Sequence, residues 1–390
     1  MTRARILFVD DQPAVLDGLR DLLRRDRQHW EVLFAASAHE ALDVLGRGAV
    51  EIVVSDMRMP GMDGATLLAR VQALQPAAIR IILSGHAERG AVTRAAAVAH
   101  QFLAKPCDGE RLRATLRRAL SLRSLLQDPQ LKRIAGQLGV LPSVPRCYHE
   151  LHALALDETA GIADIARVVA RDPAMSAKTL QLVNSAYYGG ARTFTSLQQA
   201  VAYLGIEALK ALALTADIFT ASAELRDAGF SIETLQRQAM EGALLAQQIV
   251  GRTSPDAVPA FAAGLLRDVG LLVLARARPD EVAAVMRRVR EEGIDESTAE
   301  LDLLGATHAQ LGAYILGAWG LPMDVVAAVA SHARGDATTP HGAVAVAVHL
   351  ASALVEGRPI DDLVLGTPLP VADRARWELA AQELRQGHAP

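Results

Sequence analysis

Four short apolar runs in the first third of the chain each end on a polar residue, and this recurrence restricts the fold more than any other feature. "ILFV" (Ile6–Val9) leads into Asp10 and Asp11, and Ile52–Ser55 leads into Asp56. "IIL" leads into Ser84, and "QFLA" into Lys105 and Pro106. With one more run, the strand candidates are Ile6–Val9, Val32–Ala35, Ile52–Ser55, Arg80–Leu83 and Gln101–Ala104. Runs this apolar suit strands covered on both faces. Between them Val15, Leu19, Leu22 and Leu23 recur at helical spacing, as do Ala41, Leu42 and Leu45. Strand and helix in regular alternation predict a five-stranded doubly wound parallel sheet with right-handed crossovers. A single Asp after a strand is ordinarily a turn or cap residue. Four such positions in step describe a site at the carboxyl edge of the sheet.

The chemistry of that edge follows from its residue types. Mg2+ prefers hard oxygen ligands and takes few of them from protein, which Asp10, Asp11 and Asp56 can supply. Asp56 is also a carboxylate nucleophile, while Lys105 and Ser84 can meet phosphoryl oxygens. Together these are the parts of a phosphoryl-transfer site. The helix that follows is expected to start near Asp108 as N-cap, with Glu110 in its first turn. Leu112, Leu116, Ala119, Leu122 and Leu126 continue its apolar stripe until Pro129 interrupts it.

Beyond Leu138 the strand patterns stop. Ile162, Ile165, Ala166 and Val169 share one helical face. Similar patterns cover Ser176–Val183, Leu197–Tyr203, Ala208–Phe219, Leu235–Val250, Ala260–Leu274, Val282–Arg290, Ala309–Ala318 and Val325–Ala330. With 51% apolar residues but only 4% aromatic, the cores are expected to be aliphatic and helical. The expected organisation is an α/β domain over 1–122, a helical linker over 123–136, an all-α domain over 137–335, and a C-terminal helical extension with a loosely attached tail over 336–390. A net charge of −4 leaves no electrostatic footprint for nucleic acid. Two cysteines, Cys107 and Cys147, make no disulfide framework. The amino terminus lacks a signal-peptide pattern, and the run Ala343–Val355 is too short to span a bilayer. A cytoplasmic protein without membrane insertion is expected.

Residues 3–120 resemble the receiver domain of two-component response regulators, through "VDD", "SDMRMPGMDG", "ILSGH" and "FLAKP". The resemblance implies a phosphoacceptor at Asp56, Mg2+ bound by Asp10 and Asp11 with Asp56, and phosphate sensing by Ser84 and Lys105. It further implies a switching aromatic at Phe102 and a cis peptide at Lys105–Pro106. The implied phosphodonor is a histidine kinase or a phosphotransfer protein.

"LPSVP", "RDPAMSAKTLQLVNSAYYG", "SLQQAVAYLG", "AGLLRDVGLLVL" and "THAQLGAYILGAWGLP" resemble an HDOD domain over about 136–335. Such domains are similar to the HD metal-dependent phosphohydrolases, which hold metal with a His, a His-Asp pair and a later Asp. In this chain those positions carry Gln238, Arg267 with Asp268, and Ser352. An Arg offers donors only and cannot ligate a cation. The resemblance therefore implies a non-catalytic domain with no metal cofactor. His308 and His332, without a carboxylate partner at useful sequence spacing, are expected to be structural or surface residues. Arg267 and Asp268, adjacent on one expected helix, are expected to point to different faces. The leading expectation is a phosphorelay response regulator that signals to an unknown downstream protein by protein–protein interaction, with homodimerisation as one route. The alternative is a receiver-controlled HD-type phosphodiesterase acting on a cyclic dinucleotide, which Gln238 and Arg267 disfavour.

Overall fold

Five parallel strands, in the order β2-β1-β3-β4-β5, make the sheet the apolar runs predict. They are β1 (Ala4–Val9), β2 (Trp30–Ala35), β3 (Ile52–Asp56), β4 (Ile79–Ser84) and β5 (Gln101–Ala104). The computed structural model describes residues 3–84, 98–105, 107–122, 125–126, 128, 129–137, 141–143, 150–151, 154, 161–184, 194–204, 219–221, 231–333, 342–358, 360 and 371–386. These residues fall into two compact units, one of Met1–Val140, Gln181–Thr193 and Gly317–Gly320, the other of Leu141–Leu180, Phe194–Leu316 and Leu321–Pro390.

In the first unit, Ile6, Leu7, Phe8, Ile52, Val53, Val54, Ile81 and Ile82 are fully buried. Helices on both faces cover them, which is why these strands are apolar throughout rather than alternating. Local caps start the helices where the side chains allow. Asp63 accepts a hydrogen bond from Thr66 N at 2.8 Å ahead of helix Gly64–Leu74. Asp108 accepts from Arg111 N at 3.2 Å ahead of helix Gly109–Ser121, as its sequence position implies. The stretch expected to be a linker contains helix Pro129–Gln137, with Leu131 and Ala135 buried. It docks on the sheet through Arg80, whose guanidinium donates to Gly136 O at 2.6 Å.

Among the described residues the second unit is helical, apart from one short parallel pair, β6 (Leu141–Ser143) with β7 (Phe219–Ala221), which the helical pattern does not anticipate. The expected helix Ala208–Phe219 lies outside the described residues except for Phe219, which opens β7. Helices Ile232–Val250, Ala257–Leu266, Met323–Ser331 and Gly342–Glu356 pack on one another as the core. The segment read as an extension therefore supplies a central helix, with Val344, Ala347, Val348, Ala351 and Ser352 buried. Helix Val371–Arg385 packs on Ile232–Val250 and Gly342–Glu356 with Trp377 and Ala381 buried, so the described part of the expected tail is attached. The stretch Ala257–Ala277 is long and apolar enough to cross a membrane by length and composition, yet 83% of its most apolar window is buried inside the unit. The apolar pattern predicts a single helix over Ala260–Leu274. The chain instead forms two helices, Ala257–Leu266 and Val269–Ala277, with the break at Arg267–Asp268.

Candidate functional site

The strand register decides which polar groups meet at the carboxyl edge of the sheet. Val9 of β1 stands opposite Ser55 of β3, so Asp10 and Asp56 follow at the same level. Asp56 is paired with Leu83, and Ser84 with Ala104 just before Lys105. The five predicted positions thus come to one edge. Asp10 and Asp56 are buried. Lys105 Nζ lies 2.6 Å from Asp10 Oδ2 and 2.5 Å from Asp56 Oδ1. Asp56 Oδ2 accepts a hydrogen bond from Arg58 N at 3.3 Å. Ser84 closes β4, and Phe102 is buried on β5. The expected Lys105–Pro106 cis peptide lies outside the described residues, as does Cys147.

Charge and burial compete at this edge. Burial pushes the Asp56 carboxyl above its ordinary value, and the Lys105 ammonium opposes this without cancelling it. Burial also works against the Lys105 charge, but Asp10 and Asp56 outweigh it and hold the ammonium above the usual lysine range. One oxygen from each of Asp10, Asp11 and Asp56 lies within 4.8 Å of the others. Asp11 Oδ1 is buried without a hydrogen-bond partner in the structure. That donor set is all hard oxygen, and it fits a divalent cation of the Mg2+ type. Immediately behind Asp56, Gly64 lets the next helix approach. A Cβ there would stand 2.1 Å from Asp56 O.

A second cluster lies in the helical unit. Gln238 and Asp268 line the same cavity as His308 and His332. Ser352 is buried on the face of helix Gly342–Glu356 that also carries His349 and Glu356. Arg267 and Asp268 do not diverge as one continuous helix would make them. Because the helix breaks between them, Arg267 Nε lies 3.0 Å from Asp268 Oδ2, and Arg267 Nη2 lies 3.4 Å from Glu356 Oε1. The guanidinium fits over Gly242, where a Cβ would come within 1.9 Å of Nη1.

The two histidines have the carboxylate partners that sequence spacing hides. His308 Nδ1 lies 2.7 Å from Glu300 Oε1, and both residues are buried. His308 Nε2 and His332 Nε2 face each other at 3.2 Å. Asp268 Oδ1 is 3.7 Å from each of those nitrogens. Burial alone would strip the charge from His308, but Glu300, with Glu296 and Asp268, overcomes it and lifts His308 to about 10. Burial and the charge on His308 push His332 down to about 3. Asp268 is held below the usual carboxylate range because Arg267 and the two imidazoles outweigh its burial. Glu300, Glu356 and His349 do not emerge from the sequence as site residues. The one local signal is the acid pair Glu296 and Glu300, a helical turn apart, shortly before His308.

The chain matches the response regulator receiver domain over residues 6–117 and the HDOD domain over residues 141–334. It is 41% identical over 113 residues to the transcriptional regulatory protein GlrR of Escherichia coli (strain K12), covering 28% of this chain and 24% of that protein. It is 30% identical over 194 residues to the transcriptional regulatory protein ZraR of Escherichia coli O157:H7, covering 46% and 44%. The chain therefore spans less than half the length of these curated relatives. The crystal structure of the MmoQ response regulator from Methylococcus capsulatus str. Bath aligns with 61% of this chain and 98% of its own. Its identity is 24% and its TM-score 0.50, a likeness of fold.

Proposed function

Because the chain belongs to the response regulators, with a receiver domain followed by an HDOD domain, we propose that it takes a phosphoryl group on Asp56 and signals through protein contacts of its helical unit. One observation carries this reading: Lys105 Nζ stands 2.5 Å from Asp56 Oδ1 and 2.6 Å from Asp10 Oδ2, at the strand ends where Asp11 and Ser84 also lie. In the transfer, an Asp56 carboxylate oxygen forms the new O–P bond as the bond from phosphorus to a donor histidine nitrogen breaks. Lys105 and Ser84 would meet the charge on the phosphoryl oxygens. Asp10, Asp11 and Asp56 would hold Mg2+, which supplies charge neutralisation when bound. The donor is a histidine kinase or phosphotransfer protein, and the setting is cytoplasmic.

The helical unit acts by binding rather than hydrolysis in this reading. Gln238, Arg267 and Ser352 stand where an HD hydrolase would need ligands, and the Arg267 guanidinium occupies Asp268 Oδ2. The curated relatives are transcriptional regulators by name. This chain matches them over 28–46% of its length, and no DNA-binding output is carried over from them.

The reading is tested by incubating the full chain with a small acyl phosphate and Mg2+ and weighing the intact protein. A gain of one phosphoryl group, lost in Asp56→Asn, is expected. Equal labelling of that variant, or no labelling of the wild type, overturns the assignment. Solution mass and hydrogen exchange with and without beryllium fluoride then report the output. Identical behaviour of the helical unit in both states would sink the relay.

A further inference from the structure

We propose that Asp268, His308 and His332 form a divalent transition-metal site, with Zn2+ as its preferred ion. This goes beyond the relay proposed above; the site keeps Asp268 from the HD positions, but its other two donors are His308 and His332 rather than Gln238, Arg267 or Ser352. Three atoms point at one another to make it. His308 Nε2, His332 Nε2 and Asp268 Oδ1 form a triangle with sides of 3.2, 3.7 and 3.7 Å. The point equidistant from all three lies about 2.1 Å from each, within the range of about 2.0–2.2 Å for Zn2+ bonds to imidazole nitrogen and carboxylate oxygen.

The far side of each donor is tied down. His308 Nδ1 meets Glu300 Oε1 at 2.7 Å. His332 Nδ1 lies 2.8 Å from Val329 O, and since a carbonyl only accepts, the proton is on Nδ1 and the Nε2 lone pair faces the triangle. The carbonyl of His332 itself accepts from His349 Nδ1 at 2.7 Å. Asp268 Oδ2 is ion-paired with Arg267, whose Nε lies 3.0 Å away, while Oδ1 faces the imidazoles. Outer partners that set tautomer and orientation are what ligating histidines ordinarily have.

Charge and space agree with an ion. Arg267 and Arg358 are unfavourable neighbours, and both are paired with Glu356, through Arg267 Nη2 at 3.4 Å and Arg358 Nε at 2.7 Å. Glu300 is fully buried beside His308, and Glu296 Oε1 lies 4.0 Å from His308 Nδ1, buried and without a hydrogen-bond partner in the structure. Asp268, His308 and His332 open on a cavity of about 350 Å³ that Gln238, Glu296 and Arg358 also line. That leaves room for a fourth ligand, a water or an anion. The competing occupant is a proton on His308 Nε2 donated to His332 Nε2.

The test uses the full chain carrying Asp10→Asn and Asp11→Asn, so that the receiver edge does not contribute ions. Titration with Co2+ is expected to saturate at one equivalent, with the visible absorption of a four-coordinate nitrogen–oxygen site that Zn2+ then displaces. Adding His308→Ala or His332→Ala is expected to abolish that absorption. Glu300→Gln, which keeps the shape of the outer partner, is expected to weaken binding about 10–100-fold. Failure of the folded parent chain to take up stoichiometric Co2+ or Zn2+ overturns the proposal without reference to any histidine variant. Unchanged uptake in folded His332→Ala overturns it as well. Neither result bears on phosphorylation of Asp56, which is measured separately.

Discussion

Arg267 Nε stands 3.0 Å from Asp268 Oδ2, and the guanidinium is 1% exposed. The pair exists because the chain leaves helix Ala257–Leu266 at one residue and enters helix Val269–Ala277 at the next. Replacing Arg267 with Met would strand the Asp268 carboxylate. We expect a loss of about 3–5 kcal/mol, the usual cost of removing one partner of a buried pair. The double change Arg267→Met with Asp268→Asn should recover a large part of it. Urea unfolding of the four proteins of the cycle measures the coupling, and additive losses would show that the pair does not act as a unit.

Arg80, on β4, anchors helix Pro129–Gln137. Its guanidinium donates to Gly136 O and its Nε to Val98 O, both at 2.6 Å, while Nη1 reaches Ala78 O at 3.2 Å. Arg80→Met should destabilise the first unit by about 3 kcal/mol, the scale of lost hydrogen bonds to a buried charged group. Amide exchange should speed up in residues 129–137 more than in β1 or β3. Uniform acceleration would argue against a specific anchor.

Gly64 is set by the backbone of Asp56. Gly64→Ala would place a Cβ 2.1 Å from Asp56 O, and neither backbone can yield cheaply. A loss of about 1–3 kcal/mol is expected from this overpacking, together with slower phosphoryl uptake. Thermal unfolding and intact-mass labelling report the two effects, and unaltered labelling would mean that Asp56 tolerates the shift.

Lys105 neutralises two carboxylates at once. Lys105→Met should raise the Asp56 carboxyl further above its ordinary value, since the cation opposing burial is gone. Phosphoryl uptake is expected to fall about 100-fold or more, in line with losing one charged group from a preorganised site. Single-turnover labelling with an acyl phosphate tests this, and a rate within threefold of wild type, roughly 0.6 kcal/mol, would remove Lys105 from the transfer step.

Lys178, buried in helix Pro173–Val183, is pushed down by burial to about 7 from an ordinary 10.5. Between those values the unfolded chain binds the proton that the folded chain has shed. Stability should therefore rise with pH above about 7, by on the order of 1 kcal/mol per pH unit, and the lysine's contribution should be flat below that. Lys178→Met should remove this slope. Urea midpoints of both proteins at pH 6, 7, 8 and 9 compare them, and parallel curves would contradict the assignment.

Much of the receiver edge is legible in the order of residues alone. Asp10, Asp11, Asp56, Ser84 and Lys105 each end or follow a strand, and a parallel sheet brings strand ends together whatever its loops do. Period, apolar runs and end positions are local properties, so a linear reading recovers them. The helical unit divides differently. Its helices are visible as stripes, but Asp268, Glu300, His308 and His332 lie on or beside separate helices, and no sequence spacing links them. Their meeting depends on how those helices pack and on a break at Arg267–Asp268 that its apolar neighbours disguise. The same packing makes Gly342–Glu356 a core helix and puts a carboxylate beside each histidine. Local pattern is enough to place Asp56 at the sheet edge, because one residue and its strand define that position. The second cluster requires the tertiary fold, because convergence of side chains from distant helices is a property of packing and not of any segment.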